Sequence, residues 1–105
     1  MIRAIRFSKS ASAKLENLLI YLEKEWSMKD KENFIHKLDK SLLQIQNHPD
    51  SFPSSEKIKG LRKCVVTKQT TFFYKCSDHA INVVALFDNR QDPDSIKNLP
   101  KNLIK

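Results

Sequence analysis

Residues 61–87 read LRKCVVTKQTTFFYKCSDHAINVVALF. Leu61 to Val66, Thr70 to Cys76 and Ala80 to Phe87 are rich in Val, Thr, Phe and Tyr, residues that fit a pleated, half-buried surface. Thr67-Lys68-Gln69 and Ser77-Asp78-His79 separate them as short polar turns. The pattern predicts three strands in a meander. The last, Ile81 to Phe87, is almost continuously apolar and is expected to be central and covered.

Upstream the period changes. Residues 49–60, PDSFPSSEKIKG, form a polar loop broken by Pro49, Pro53 and Gly60. Before it, Phe34, Leu38, Leu42 and Ile45 repeat at helical spacing, widened by Ile35 and Leu43, and Pro49 stops the helix near His48. Leu15, Leu18, Leu19, Leu22 and Trp26 make an earlier amphipathic helix, with N-cap candidates at Ser8 to Ser12. Ser27 to Asp30 breaks the pair and caps the second. The apolar positions of both helices, Trp26 included, read as core. Met1 to Phe7 alternates like a short strand. Residues 94–105 hold at most a short helix interrupted by Pro100. The expected fold is α+β, in the order β-α-α-β-β-β. A helical hairpin packs on one face of a small antiparallel sheet whose other face stays partly open.

A chain of 105 residues is one domain, spanning 1–105. With 40% hydrophobic and 30% charged residues it is neither disordered nor membranous. The N-terminus is too short and too charged for a signal peptide. Two cysteines are too few for a disulfide framework, so reduced thiols and a cytoplasmic location are expected. A single glycine, Gly60, excludes a phosphate-cradling or dinucleotide fingerprint. Cys64, Cys76, His36, His48 and His79 are too scattered for a metal site, and no cofactor is implied. A hairpin centred on Thr70 would set Cys64 against Cys76. A two-residue Lys68-Gln69 loop would set Cys64 against Phe73, and nothing fixes the register.

The net charge is +7, and it is unevenly spread. Lys57, Lys59, Arg62, Lys63, Lys68 and Lys75 fall within residues 57–77, which hold no acid. Such segregation suits an anionic partner, nucleic acid first among them; it also suits nothing more than a basic strand or two. Arg62 and Lys63 must point to opposite faces of their strand. If Arg62 faces inward it needs a carboxylate or carbonyl; if outward, it is free to grip a phosphate. Arg90 has the same two readings: an anion ligand, or a rim salt bridge to Asp88 or Asp92. Metal-free RNA cleavage would also need a base and an acid. Lys57 or Lys59 could serve, and Tyr74 reads as core. The cluster suits anion binding better than proton transfer.

Taken together, these residues resemble the RelE/ParE toxin superfamily. The resemblance rests on Tyr21 to Trp26 closing the first helix and on the loop carrying Pro49 and Pro53. It also rests on Gly60-Leu61-Arg62, Phe73-Tyr74 and the Asp88-Asn89-Arg90-Gln91-Asp92-Pro93 ending. It implies the toxin of a type II toxin–antitoxin pair, a growth-inhibiting plasmid-stabilisation protein. A cognate antitoxin partner is implied, with a dimer or heterotetramer left open. Arg62 and Arg90 match the family's basic residues at the start of the second strand and after the last. Thr71 stands where RNA-cleaving relatives carry an Arg, and no Tyr or His follows Arg90.

The expectation is therefore a ParE-like toxin that binds a target such as DNA gyrase through Arg62, Lys63 and Arg90. The alternative is a ribosome-dependent mRNA endoribonuclease using Lys57, Lys59, Arg62 and Arg90. A second alternative is a non-toxic nucleic-acid-binding module. The apolar residues Ile96, Leu99, Leu103 and Ile104 suit a covering antitoxin peptide.

Overall fold

The computed structural model describes residues 3–56 and 58–90. The elements are β1 (Ala4–Phe7), α1 (Lys9–Tyr21), α2 (Met28–Asn47), β2 (Arg62–Val65), β3 (Thr70–Cys76) and β4 (Ala80–Asp88). A π-helical turn, Leu22–Trp26, joins the helices. Lys57 and the segment expected to form a C-terminal helix lie outside the described residues. So do Ile96, Leu99, Leu103 and Ile104.

Both predicted caps form. Ser8 Oγ accepts from the Ala11 N–H at 3.0 Å and donates to Val84 O at 3.0 Å, tying the start of α1 to β4. Ser27 Oγ accepts from the Asp30 N–H at 3.0 Å. α2 stops at Asn47, with the His48 N–H donating to Gln44 O at 2.7 Å just before Pro49.

The strands lie in the order β1-β4-β3-β2. β2, β3 and β4 form the antiparallel meander, and β4 has a neighbour on each side. β1 pairs with β4 in parallel, so the sheet is mixed rather than wholly antiparallel. No hairpin links β1 to its neighbour, so no turn signal in the sequence sets its direction. The helical layer does so by carrying the chain away from β1.

Neither expected hairpin register is adopted. Cys64 faces Phe72 and Arg62 faces Tyr74, because the β2–β3 loop has three residues, Thr67 to Gln69. The Thr67 hydroxyl accepts from the N–H groups of Gln69 (3.2 Å) and Thr70 (3.1 Å), an ST-type turn. Cys76 faces Ile81 on β4, so the thiols are not neighbours.

The main core lies between helices and sheet. Leu18, Leu22, Phe34, Leu38, Leu42 and Ile45 pack on Cys64, Phe72, Tyr74, Ile81, Val83 and Leu86. A second cluster covers part of the other face, where Ile58 and Leu61 pack on Phe73, Ala85 and Phe87. A bulge between β3 and β4 makes this possible: Phe73 pairs with Ala85 and Tyr74 with Val83. Val84 is the extra residue, and it joins Ala85 on the second face.

Trp26 and Leu43 are not core; they are 50% and 56% exposed. Trp26 would continue the stripe through Leu22 on an α-helix. The π-helical turn widens the repeat and rotates Trp26 away from the sheet. Leu43 flanks the α2 stripe on the outer side.

Candidate functional site

The predicted cations separate into two centres. Arg62 lies on the helix-facing side of β2 with buried Cys64. The inward reading therefore applies, and both partners it requires are present. Nη1 donates to Phe52 O at 2.7 Å, and Nη2 pairs with Asp50 Oδ1 at 3.1 Å. Arg62 is thus a latch on the loop after α2, turned to the helix side of the sheet. Opposite it, Tyr74 is buried and donates its hydroxyl to Pro49 O at 2.9 Å. Burial pushes that phenol up to about 12, with Cys76 raising it further and Arg62 opposing. Tyr74 is core, as expected.

Arg90 makes the rim salt bridge to Asp88. Nη2 donates to Asp88 Oδ2 at 2.7 Å and Nε to Oδ1 at 3.1 Å. The Arg90 backbone N–H donates to the same Oδ1 at 2.9 Å. Thr70, the register partner of Asp88, donates its hydroxyl to Oδ2 and accepts from Arg90 Nη2 at 3.4 Å. The guanidinium then lies 5.2 Å from the centroid of the Trp26 ring, within cation–π range. Burial raises the Asp88 carboxyl, but the hydrogen bonds from Arg90 and Thr70 outweigh it and hold the group below its usual range.

These two centres sit at opposite ends of the sheet. Thr70 marks one and Tyr74 the other, four residues apart on β3 or about 13 Å. Lys63 points to the second face with its register partner Phe73, and its N–H donates to Pro53 O at 2.9 Å. Lys59 is exposed in the preceding loop. Among the described residues, the candidates do not converge on one reacting atom.

Two groupings were not visible in the sequence. Thr70 and Trp26 join Asp88 and Arg90 only through the β3–β4 register and the π-helical turn. On the open face, Arg6 and Lys75 both sit opposite Asn82 beside a shallow cleft of about 210 Å³. Among the described residues, no group of His, Cys, Asp and Glu could hold a metal ion. No helix among them is long and apolar enough to cross a membrane.

A two-helix layer on a four-stranded mixed sheet is a fold shared with solved structures from toxin–antitoxin systems. A chain of the chromosomal ParDE toxin–antitoxin system from P. aeruginosa superposes with a TM-score of 0.65 at 11% identity, over 83% of this chain and 96% of that one. The E. coli DinJ-YafQ toxin–antitoxin complex gives 0.55 at 17% identity, over 88% and 98%. A double mutant of the E. coli toxin RelE in the free state gives 0.55 at 12%, over 95% and 100%. A search of the curated proteins returned no match. Residues 5–93 match the sequence model of the ParE toxin of the type II toxin–antitoxin system parDE. The chain belongs to that family of type II toxins.

Proposed function

We propose that this toxin acts by binding its target rather than by cutting RNA, and that the target is DNA gyrase. One observation carries the reading: the two arginines that the resemblance singles out are far apart, and each is engaged by a carboxylate. RNA cleavage without a metal needs a base, an acid and a cation around one phosphate. The tyrosine beside Arg62 is buried, donates to a carbonyl and is hard to ionise. His79 lies in the β3–β4 turn, at the end of the sheet away from Arg90. Fixed cations of this kind anchor a partner and orient it.

An antitoxin partner is part of the same reading. Ile20, Trp26, Met28, Leu43 and Val65 are large apolar residues at least half exposed. Together with the +7 charge, they suit a small acidic protein with an apolar face.

The test pairs a supercoiling assay with purified gyrase and a map of mRNA 5′ ends after induction. The expected outcome is inhibited supercoiling and an unchanged end map. New 5′ ends with gyrase unaffected would replace this reading with the endoribonuclease. Toxicity undiminished in the Arg62→Ala/Arg90→Ala double variant would also count against it. Co-expression with the neighbouring reading frame should bring down a small acidic protein.

A further inference from the structure

Trp26 is the chain's one tryptophan, yet it is 50% exposed. On an uninterrupted α-helix its spacing would carry it to the sheet, where so large a ring gains most from burial. The π-helical turn Leu22–Trp26 gives up that burial, and such turns are frequent at functional sites. What the turn secures is contact with Arg90, whose Cζ lies 5.2 Å from the centroid of the indole. The ring is itself tethered. Its Nε1–H donates to the Tyr21 hydroxyl at 3.4 Å, and Tyr21 packs against the main core.

Arg90 is also held through hydrogen bonds. Nε and Nη2 donate to the two carboxylate oxygens of Asp88, and Thr70 donates its hydroxyl to the same carboxylate. The pair is largely withdrawn from water, with side chains 15% and 3% exposed. Such a pair is weak evidence for stability, because desolvation offsets its attraction. Among the described residues, no acceptor is paired with Arg90 Nη1. Arg90 also lines a cleft of about 180 Å³ between α2 and the β2–β3 turn.

We infer that Trp26 is a positioning residue: its indole holds the Arg90 guanidinium so that the free Nη1 donors meet the toxin's target already oriented. The inference rests on the proposed function in one respect, that Arg90 touches the target. A mobile arginine gives up rotamer freedom on binding, whereas one already held gives up little. Asp88 restrains the guanidinium through hydrogen bonds, and the indole restrains it through packing. Trp26 thus raises affinity through Arg90 and not by a contact of its own.

The full chain is compared with Trp26→Leu, Trp26→Phe, Arg90→Ala and the Trp26→Leu/Arg90→Ala pair. Trp26→Leu should raise the concentration that half-inhibits supercoiling by about 2- to 5-fold, the worth of one exposed cation–π contact. Trp26→Phe keeps an aromatic face and should recover part of the loss. With Arg90 already Ala, Trp26→Leu should change nothing further. Equal losses in both backgrounds would mean that Trp26 supports the fold or touches the target by itself, and would overturn the inference. No loss in either would do the same.

Nitrogen-15 spectra of the arginine side chains read the restraint on the purified chain, and they decide the case if Arg90→Ala abolishes inhibition outright. Arg90 Nη1 and Nη2 should give separate signals in the parent and exchange faster in Trp26→Leu. Unchanged exchange would overturn the inference whatever the target. The same variants are scored for growth arrest after induction, which presumes no target. Growth arrest and exchange that respond to Trp26, with gyrase untouched, would remove the proposed target and keep the inference. A parent chain that arrests no growth would overturn both.

Discussion

Arg62 and Tyr74 sit opposite each other on β2 and β3, and both donate to carbonyls of one loop. Arg62 holds Phe52 O at 2.7 Å, and Tyr74 holds Pro49 O at 2.9 Å. The Phe52 ring stands edge-on to Tyr74, with centroids 6.4 Å apart. One cross-strand pair thus fixes the return of the chain from α2 to the sheet. Loss of the hydroxyl in Tyr74→Phe should cost about 1 kcal/mol, a fall in Tm of roughly 4–8 °C. The Arg62–Asp50 ion pair should matter much less, since the Asp50 side chain is 89% exposed. Thermal melts of Arg62→Ala and Asp50→Ala check this. Equal losses in the two would show that the ion pair, not the carbonyl bond, is the latch.

Asp88 ties pH to stability. Its carboxyl lies below the usual range when folded, so the unfolded chain takes up the proton first. The stabilisation is complete above the unfolded value of about 3.9 and is lost as pH falls through the lower folded value. Asp88→Asn should therefore be less stable than the parent near neutrality. The gap should narrow as the pH drops below about 4. Chemical denaturation across that range is the measurement, and a gap of constant size would refute the assignment.

Much of this was legible in the sequence. The element order, both helix caps, the stop before Pro49 and the central place of β4 follow from period, cap chemistry and proline sterics. What was not legible depended on long-range geometry. The face of Arg62 turned on which side Cys64 took, and that was settled only when the helices covered it. The parallel pairing of β1 had no turn to announce it. Trp26 carried the right spacing for core, but a change in helical repeat moved it to the rim. The rim pair of Arg90 and Asp88 was readable from their separation of two residues. Thr70, eighteen residues from Asp88, was not.

The two cysteines should behave as unlike thiols. Cys64 is buried under the helices. Burial pushes its thiol up to about 11, with a hydrogen bond to Ser41 opposing. Cys76 is exposed, and its thiol is also raised. Since the thiolate is the reactive form, a mild alkylating reagent at neutral pH should modify Cys76 slowly and Cys64 only after unfolding. Mass spectrometry of the native and denatured chain will count the labels. Rapid labelling of Cys64 in the folded protein would mean that the helices open over β2.

Leu43 and Ile45 put the packing to a direct test. Both belong to the apolar set of α2, yet Leu43 is 56% exposed and Ile45 fully buried. The difference is angular: Ile45 continues the stripe of Phe34, Leu38 and Leu42 onto the sheet, while Leu43 is turned to its flank. Ile45→Ala deletes side-chain atoms that are packed on all sides and should cost about 2–5 kcal/mol. Leu43→Ala should stay within about 0.5 kcal/mol, as exposed substitutions do. Denaturant unfolding of the two variants decides it. A large loss at Leu43 would place a second packing surface on the outer face of α2, where an antitoxin or a second copy of the chain would then have to sit.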